Sequence, residues 1–122
     1  MKQITTLFVC IAFLLLGANR ASAQSTSKSV IHVVTVKWKE GTTPAQIQAA
    51  LEGVQALPRE FKGITRVWTK AIKVQGDKTH AFVMEFADEA ALKSYADSPA
   101  QKKWYELYIP IREESTTFDI TN

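Results

Sequence analysis

The chain has 122 residues, 46% of them hydrophobic and 22% charged, with 15 basic against 12 acidic side chains. That is the length of one domain with ordinary apolar content, which excludes a disordered chain. A single Cys excludes a disulfide framework, and the isolated pair Lys102-Lys103 is no basic stripe, which argues against nucleic-acid binding.

The apolar residues are unevenly spread. Lys2 precedes an unbroken apolar run from Leu7 to Leu16, and Ala21-Ser22-Ala23 forms a small-x-small site. This pattern predicts a secretory signal over residues 1–23, too short for a comfortable stop-transfer helix. The expected product begins at Gln24, is periplasmic or secreted, and has no membrane association after cleavage. Cleavage leaves 99 residues with a net charge of +1, and it removes Cys10, the lone thiol. An exported domain of this size without disulfides has a modest core, which already suggests oligomerisation.

Residues 24–29 (QSTSKS) read as a polar leader, and the domain proper as 30–122. Val30 to Lys39 is dense in β-branched residues and predicts a first strand. Thr43, Pro44 and Gln46 form a capping-box start with proline at the first helical position. Ile47, Ala50, Leu51, Val54 and Leu57 then make one apolar stripe, with Pro58 as the expected stop. Ile64 to Val74 alternates as a second strand, Gln75 to Lys78 as its turn, and Thr79 to Phe86 as a third strand. Asp88 is placed to cap a helix carrying Ala91, Leu92 and Tyr95. Helix restarts at Ser98-Pro99 with Ala100, Trp104, Leu107, Tyr108 and Ile111 on one face, and Thr116 to Ile120 closes as a strand.

The order β-α-β-β-α-β is that of an α+β ferredoxin-like split βαβ domain, sheet order 4-1-3-2, with helices on one face. His32, Val34, Val36 and Trp38 share one face of the first strand, and Ile31, Val33 and Thr35 the other. Nothing remains in the chain to cover that second, apolar face, so a second copy paired through the sheet is the expected partner.

The text HVVTVKWK, the helix start GTTPAQ, then THAFVMEF, DEAALKSYADSPAQ and the closing FDI resemble the Dabb family of stress-responsive α/β-barrel domains. The resemblance spans about Val30 to Ile120 and implies a ferredoxin-like subunit that pairs into a dimeric α/β barrel. Most members have no established activity. A few are polyketide cyclases working by aldol chemistry, and antibiotic-biosynthesis monooxygenases share the architecture. Cyclase-type members carry His-Pro-x-His after the tyrosine that Tyr95 matches, and the last His forms the acid/base pair with that tyrosine. Here Ser98 and Gln101 stand at the two histidine positions. An amide cannot exchange a proton near neutral pH.

His32 and His80 match family positions at the starts of the first and third strands. Setting Val36 opposite Phe82 would separate them by six residue steps, about 20 Å, too far to share a metal ion. No metal or cofactor is expected. His32 is either a strand-end histidine bonded to its surroundings or a ligand contact, and with Tyr95 it is the candidate acid/base group. His80 is expected to pack on Trp38, and Glu85 to be a rim charge. His32, Trp38, Tyr95, Gln101, Trp104 and Tyr108 are the candidate lining of a pocket for a small apolar or aromatic ligand, with plain core packing as the alternative. Three functions stay open: a non-catalytic or ligand-binding exported homodimer; a cofactor-free cyclase, lyase or monooxygenase for small aromatic or polyketide-like substrates; and a structural domain with a filled core.

Overall fold

A computed structural model describes residues 28–122. The expected signal at 1–23 and leader residues 24–27 lie outside the described residues. The elements are β1 (Val30–Trp38), α1 (Pro44–Glu60), β2 (Ile64–Trp68), β3 (His80–Phe86), α2 (Glu89–Tyr95), α3 (Pro99–Tyr108) and β4 (Arg112–Thr121). The sheet runs β2-β3-β1-β4 with every neighbouring pair antiparallel, the ferredoxin-like order read from the sequence.

Helix starts follow their local chemistry. The Thr43 hydroxyl accepts from Gln46 N–H, and the Gln46 side chain accepts from Thr43 N–H at 2.9 Å, completing the capping box. The Asp88 carboxylate accepts from Ala91 N–H at 2.7 Å, and the Ser98 hydroxyl from Gln101 N–H at 3.2 Å. Asp97 separates α2 from α3 with φ 61°, a left-handed conformation that Asp tolerates better than most residues.

Three boundaries differ from expectation. The helix passes Pro58 and ends at Glu60; a proline in the last turn removes a single amide donor, and Phe61 N–H still reaches Leu57 O at 2.8 Å. β2 ends at Trp68 instead of Val74. Thr69 there accepts a 2.8 Å bond from Gln55 of α1, which holds the chain on the helix side of this edge strand. The connection to β3 is therefore a long loop, turning at Gly76 with φ 74°. β4 begins at Arg112, four residues before the expected start, and pairs with β1 along the whole of that strand.

The register also shifts by two. Val36 lies opposite His80, and Val34 opposite Phe82. The side-chain period is two, so the faces survive the shift. Val30, Val34, Val36, Phe82, Met84 and Phe86 form the inner floor, roofed by Ala50, Val54 and Leu57 of α1 and by Tyr95, Ala100, Trp104 and Tyr108. Trp104 stacks on Tyr108 at 4.5 Å between centroids, and Phe82 meets both rings edge-on. Leu107, expected in this stripe, is exposed instead.

On the outer face, Ile31 lies beside Ile120, and Val33 beside Phe118 and Val83. Phe118 and Ile120 are more than half exposed, and Trp68 at the far edge is 45% exposed. Glu85 stands on this face, gripped by Arg66 Nε at 2.6 Å, whose proximity holds the carboxyl below its ordinary range. Among the described residues no helix is long and apolar enough to cross a membrane.

Candidate functional site

A cavity of about 320 Å³ opens between the inner sheet face and α2–α3. Five of the six residues expected to line it do so: His32, Tyr95, Gln101, Trp104 and Tyr108. Trp38 is the correction. Its indole N–H donates to His80 Nδ1 at 2.8 Å, and its ring meets Tyr108 edge-on at 6.0 Å, outside the lining. The packing of His80 against Trp38 thus carries a hydrogen bond as well as an edge contact.

Residues of the paired strands β1 and β4 wall one side of the cavity. Trp38 pairs with Arg112, Val36 with Ser115, Val34 with Thr117 and His32 with Asp119. Arg112, Ser115 and Thr117 line the cavity, and sequence reading missed all three. They form the inner face of β4, which carries no apolar alternation to announce it as a face. The helices pack over β2, β3 and each other, leaving this polar flank to bound open space.

Two phenol hydroxyls, Tyr95 and Tyr108, are buried without a hydrogen-bond partner. Tyr95 packs on Phe86 and Phe61, at the His32 end of the sheet, and Tyr108 on Trp104 and Phe82, at the Arg112 end. Burial pushes the Tyr95 hydroxyl far above the ordinary tyrosine value, with a smaller contribution from Tyr105. Burial raises Tyr108 as well, against the opposing influence of Ser115 and Arg112. Both are therefore neutral donors at neutral pH; Tyr95 has no acceptor, whereas Tyr108 lies beside Ser115 and Arg112 without a well-formed bond to either.

His32 Nδ1 lies 2.5 Å from Asp119 Oδ1, and its ring packs edge-on against Phe86. A carboxylate on one nitrogen orients the imidazole and leaves Nε2 for other chemistry. His32 is a bonded strand histidine that also lines the cavity. Gln101 is engaged at both ends of its amide, accepting from Asp97 N–H at 2.7 Å and donating to Tyr105 Oη at 3.1 Å.

His32 and His80 do not converge. With Val36 opposite His80, they stand four residue steps apart along the sheet, about 13 Å, closer than the register expected from sequence but still beyond one ion. Among the described residues no group of three or more His, Cys, Asp or Glu side chains is arranged to hold a metal.

Hydroxynitrile lyase from Passiflora edulis shares this fold with a TM-score of 0.70 at 17% identity, over 78% of this chain and 94% of that one. A Dabb family protein with a ferredoxin-like fold from Mesorhizobium loti gives 0.66 at 22% identity, over 79% and 98%. A dimeric ferredoxin-like protein of unknown function from Thermobifida fusca gives 0.67 at 16%, over 79% and 92%. At such identities the likeness concerns the fold. No curated protein matches the sequence. The profile of the Stress responsive A/B Barrel Domain (Dabb) matches residues 30–122, from the first residue of β1 to the end of the chain. The chain belongs to the stress responsive A/B barrel (Dabb) family.

Proposed function

We propose that the protein is an exported homodimer that binds a small apolar or aromatic molecule bearing acceptor oxygens. The observation that carries this reading is a cavity of about 320 Å³ lined by the side chains of Tyr95 and Tyr108, whose buried hydroxyls make no well-formed hydrogen bond. A buried hydroxyl without a partner is unfavourable, and a ligand oxygen beside it removes the penalty. The volume sits at the low end for small-molecule sites, which suits one or two rings. Pairing through the sheet is supported by the apolar outer band of Ile31, Val33, Val83, Phe118 and Ile120, and by the dimeric Thermobifida fusca neighbour. Export rests on the pattern of residues 1–23.

A second reading, cofactor-free acid/base catalysis as in a lyase or cyclase, is favoured by the His32–Asp119 pair in the cavity that Tyr95 also lines. In such chemistry His32 Nε2 would take the proton that Gln101 cannot. The neighbour from Passiflora edulis is a hydroxynitrile lyase, and its likeness to this chain concerns the fold.

The test is titration of the protein with 1-naphthol, followed by tryptophan fluorescence. Saturable quenching is expected, weakened about tenfold or more in a Tyr95→Phe/Tyr108→Phe variant; absence of saturation refutes the binding reading. Light scattering should show a dimer that Val33→Asp splits or unfolds, because an unpaired charge in that interface costs several kcal/mol. N-terminal sequencing of exported protein should begin at Gln24. For the second reading, ring closure of linear polyketide-type substrates lost in His32→Ala would make the protein an enzyme.

A further inference from the structure

The charges that border the cavity are one-sided. Arg112 and Lys93 line it, and no Asp or Glu is among its lining residues. The carboxylate of β4 that pairs across from His32, Asp119, is bonded to that histidine. The chain neighbours of Arg112 are also taken: Lys37 holds Glu113 at 3.2 Å, and Lys78 holds Glu114 at 3.0 Å. Among the described residues, Arg112 itself makes no ion pair. Its guanidinium stands 5.4 Å from the centroid of the Tyr108 ring, and with Ser115 it is the polar neighbour of that buried hydroxyl. Ser115 lines the same stretch of wall. One end of the cavity therefore gathers a cation and two hydroxyls, with no anion to satisfy them.

The middle is apolar, between Val34, Phe82 and Trp104. The far end holds Tyr95 and His32, with Lys93 exposed at its rim, whereas Arg112 is half-buried.

We infer that the ligand of this cavity is a small aromatic carboxylate, its carboxylate at Arg112, Tyr108 and Ser115 and its far end at His32 and Tyr95. The inference rests on the binding reading above and narrows it to an anion of fixed orientation. Arginine offers two N–H donors to one carboxylate, and the neutral Tyr108 hydroxyl adds a third. The ring then lies against Phe82 and Trp104, where an offset or edge contact with aromatic neighbours is available. A ligand so oriented presents whatever its far end carries to the His32 imidazole. Orientation comes from the charged end and selectivity follows from it: a neutral compound of the same shape leaves Arg112 desolvated and unpaired.

The test compares cinnamate with cinnamamide, two compounds of one shape differing in charge, by titration calorimetry at low ionic strength. Cinnamate is expected to bind wild-type protein about tenfold or more tightly than the amide, since a hydrogen bond to a charged group is worth that much. Arg112→Gln should bring the ratio close to one, and Arg112→Lys should restore part of it. Equal binding of the two compounds by wild type, or a ratio that survives Arg112→Gln in folded protein, overturns the inference while leaving the binding reading standing. Failure of cinnamate, cinnamamide and 1-naphthol alike overturns both.

Discussion

Replacing Tyr95 by Phe should make the unliganded protein more stable. The ring keeps its contacts with Phe61 and Phe86, and only a hydroxyl that has no partner is removed. An unsatisfied buried polar group costs roughly 1–3 kcal/mol, so the variant should gain about 1 kcal/mol or more. For a domain of this size each kcal/mol corresponds to about 4–8 °C in Tm. Tyr108→Phe should gain less, because Ser115 and Arg112 already offset part of the burial of that hydroxyl. The two side chains have separate ring partners, so their effects should add. An alkaline arm gives an independent reading. Both phenols hold their protons above the ordinary value of 10.0, so the folded state binds protons that the unfolded chain releases. Their contribution is whole below pH 10 and is lost as pH rises through the raised folded values. The double variant should lose less stability above pH 10 than wild type. Thermal and urea unfolding of the two proteins at pH 7 and above pH 10 decide the matter. A Tyr95→Phe variant less stable than wild type at pH 7 would refute the reasoning, since it would mean the hydroxyl is bonded.

Gly53 faces Trp104 so closely that a Cβ there would stand 2.6 Å from the indole Cδ1. The indole cannot swing away without losing its 2.9 Å bond to Ala50 O. Gly53→Ala should therefore destabilise by about 1–2 kcal/mol net of the gain in helix propensity, read by urea denaturation, and a more stable variant would show that α1 and α3 have room to spare. Asp119→Asn should weaken the preference for a proton on His32 Nδ1 that a carboxylate acceptor imposes; imidazole ¹⁵N shifts unchanged from wild type would show that Asp119 does not orient the ring. Below the ordinary carboxyl value of 4.5 stability should fall progressively as Glu85 is protonated, since its folded carboxyl titrates below the unfolded one and its contribution is whole only above the unfolded value. Glu85→Gln should flatten that acid slope, measured by denaturation between pH 3 and 6.

Several features of this domain are properties of short stretches of sequence. The capping box of Thr43 and Gln46, the caps at Asp88 and Ser98, and the β-branched alternation of β1 are complete within a few residues. The spacing of side chains on one strand places His32, Val34 and Val36 on a common face whatever the register, so the inner floor and the apolar outer band could be read before any pairing was known. The family motifs are equally local, and they placed Tyr95 and Gln101 at one site. Other features depend on partners distant in the chain. The end of β2 was set by Gln55 of α1 reaching Thr69, and the start of β4 by the length of β1 beside it. The offset of two between expected and observed β1–β3 register brought His32 opposite Met84, and the separate pairing of β1 with β4 brought it opposite Asp119. Arg112, Ser115 and Thr117 bear no apolar pattern, so only the pairing of β4 with β1 identifies their inward face. Local hydrogen bonding and side-chain period are written in the order of residues, whereas strand register and the open flank beside β4 are settled by which surfaces pack, and packing is a property of the whole chain.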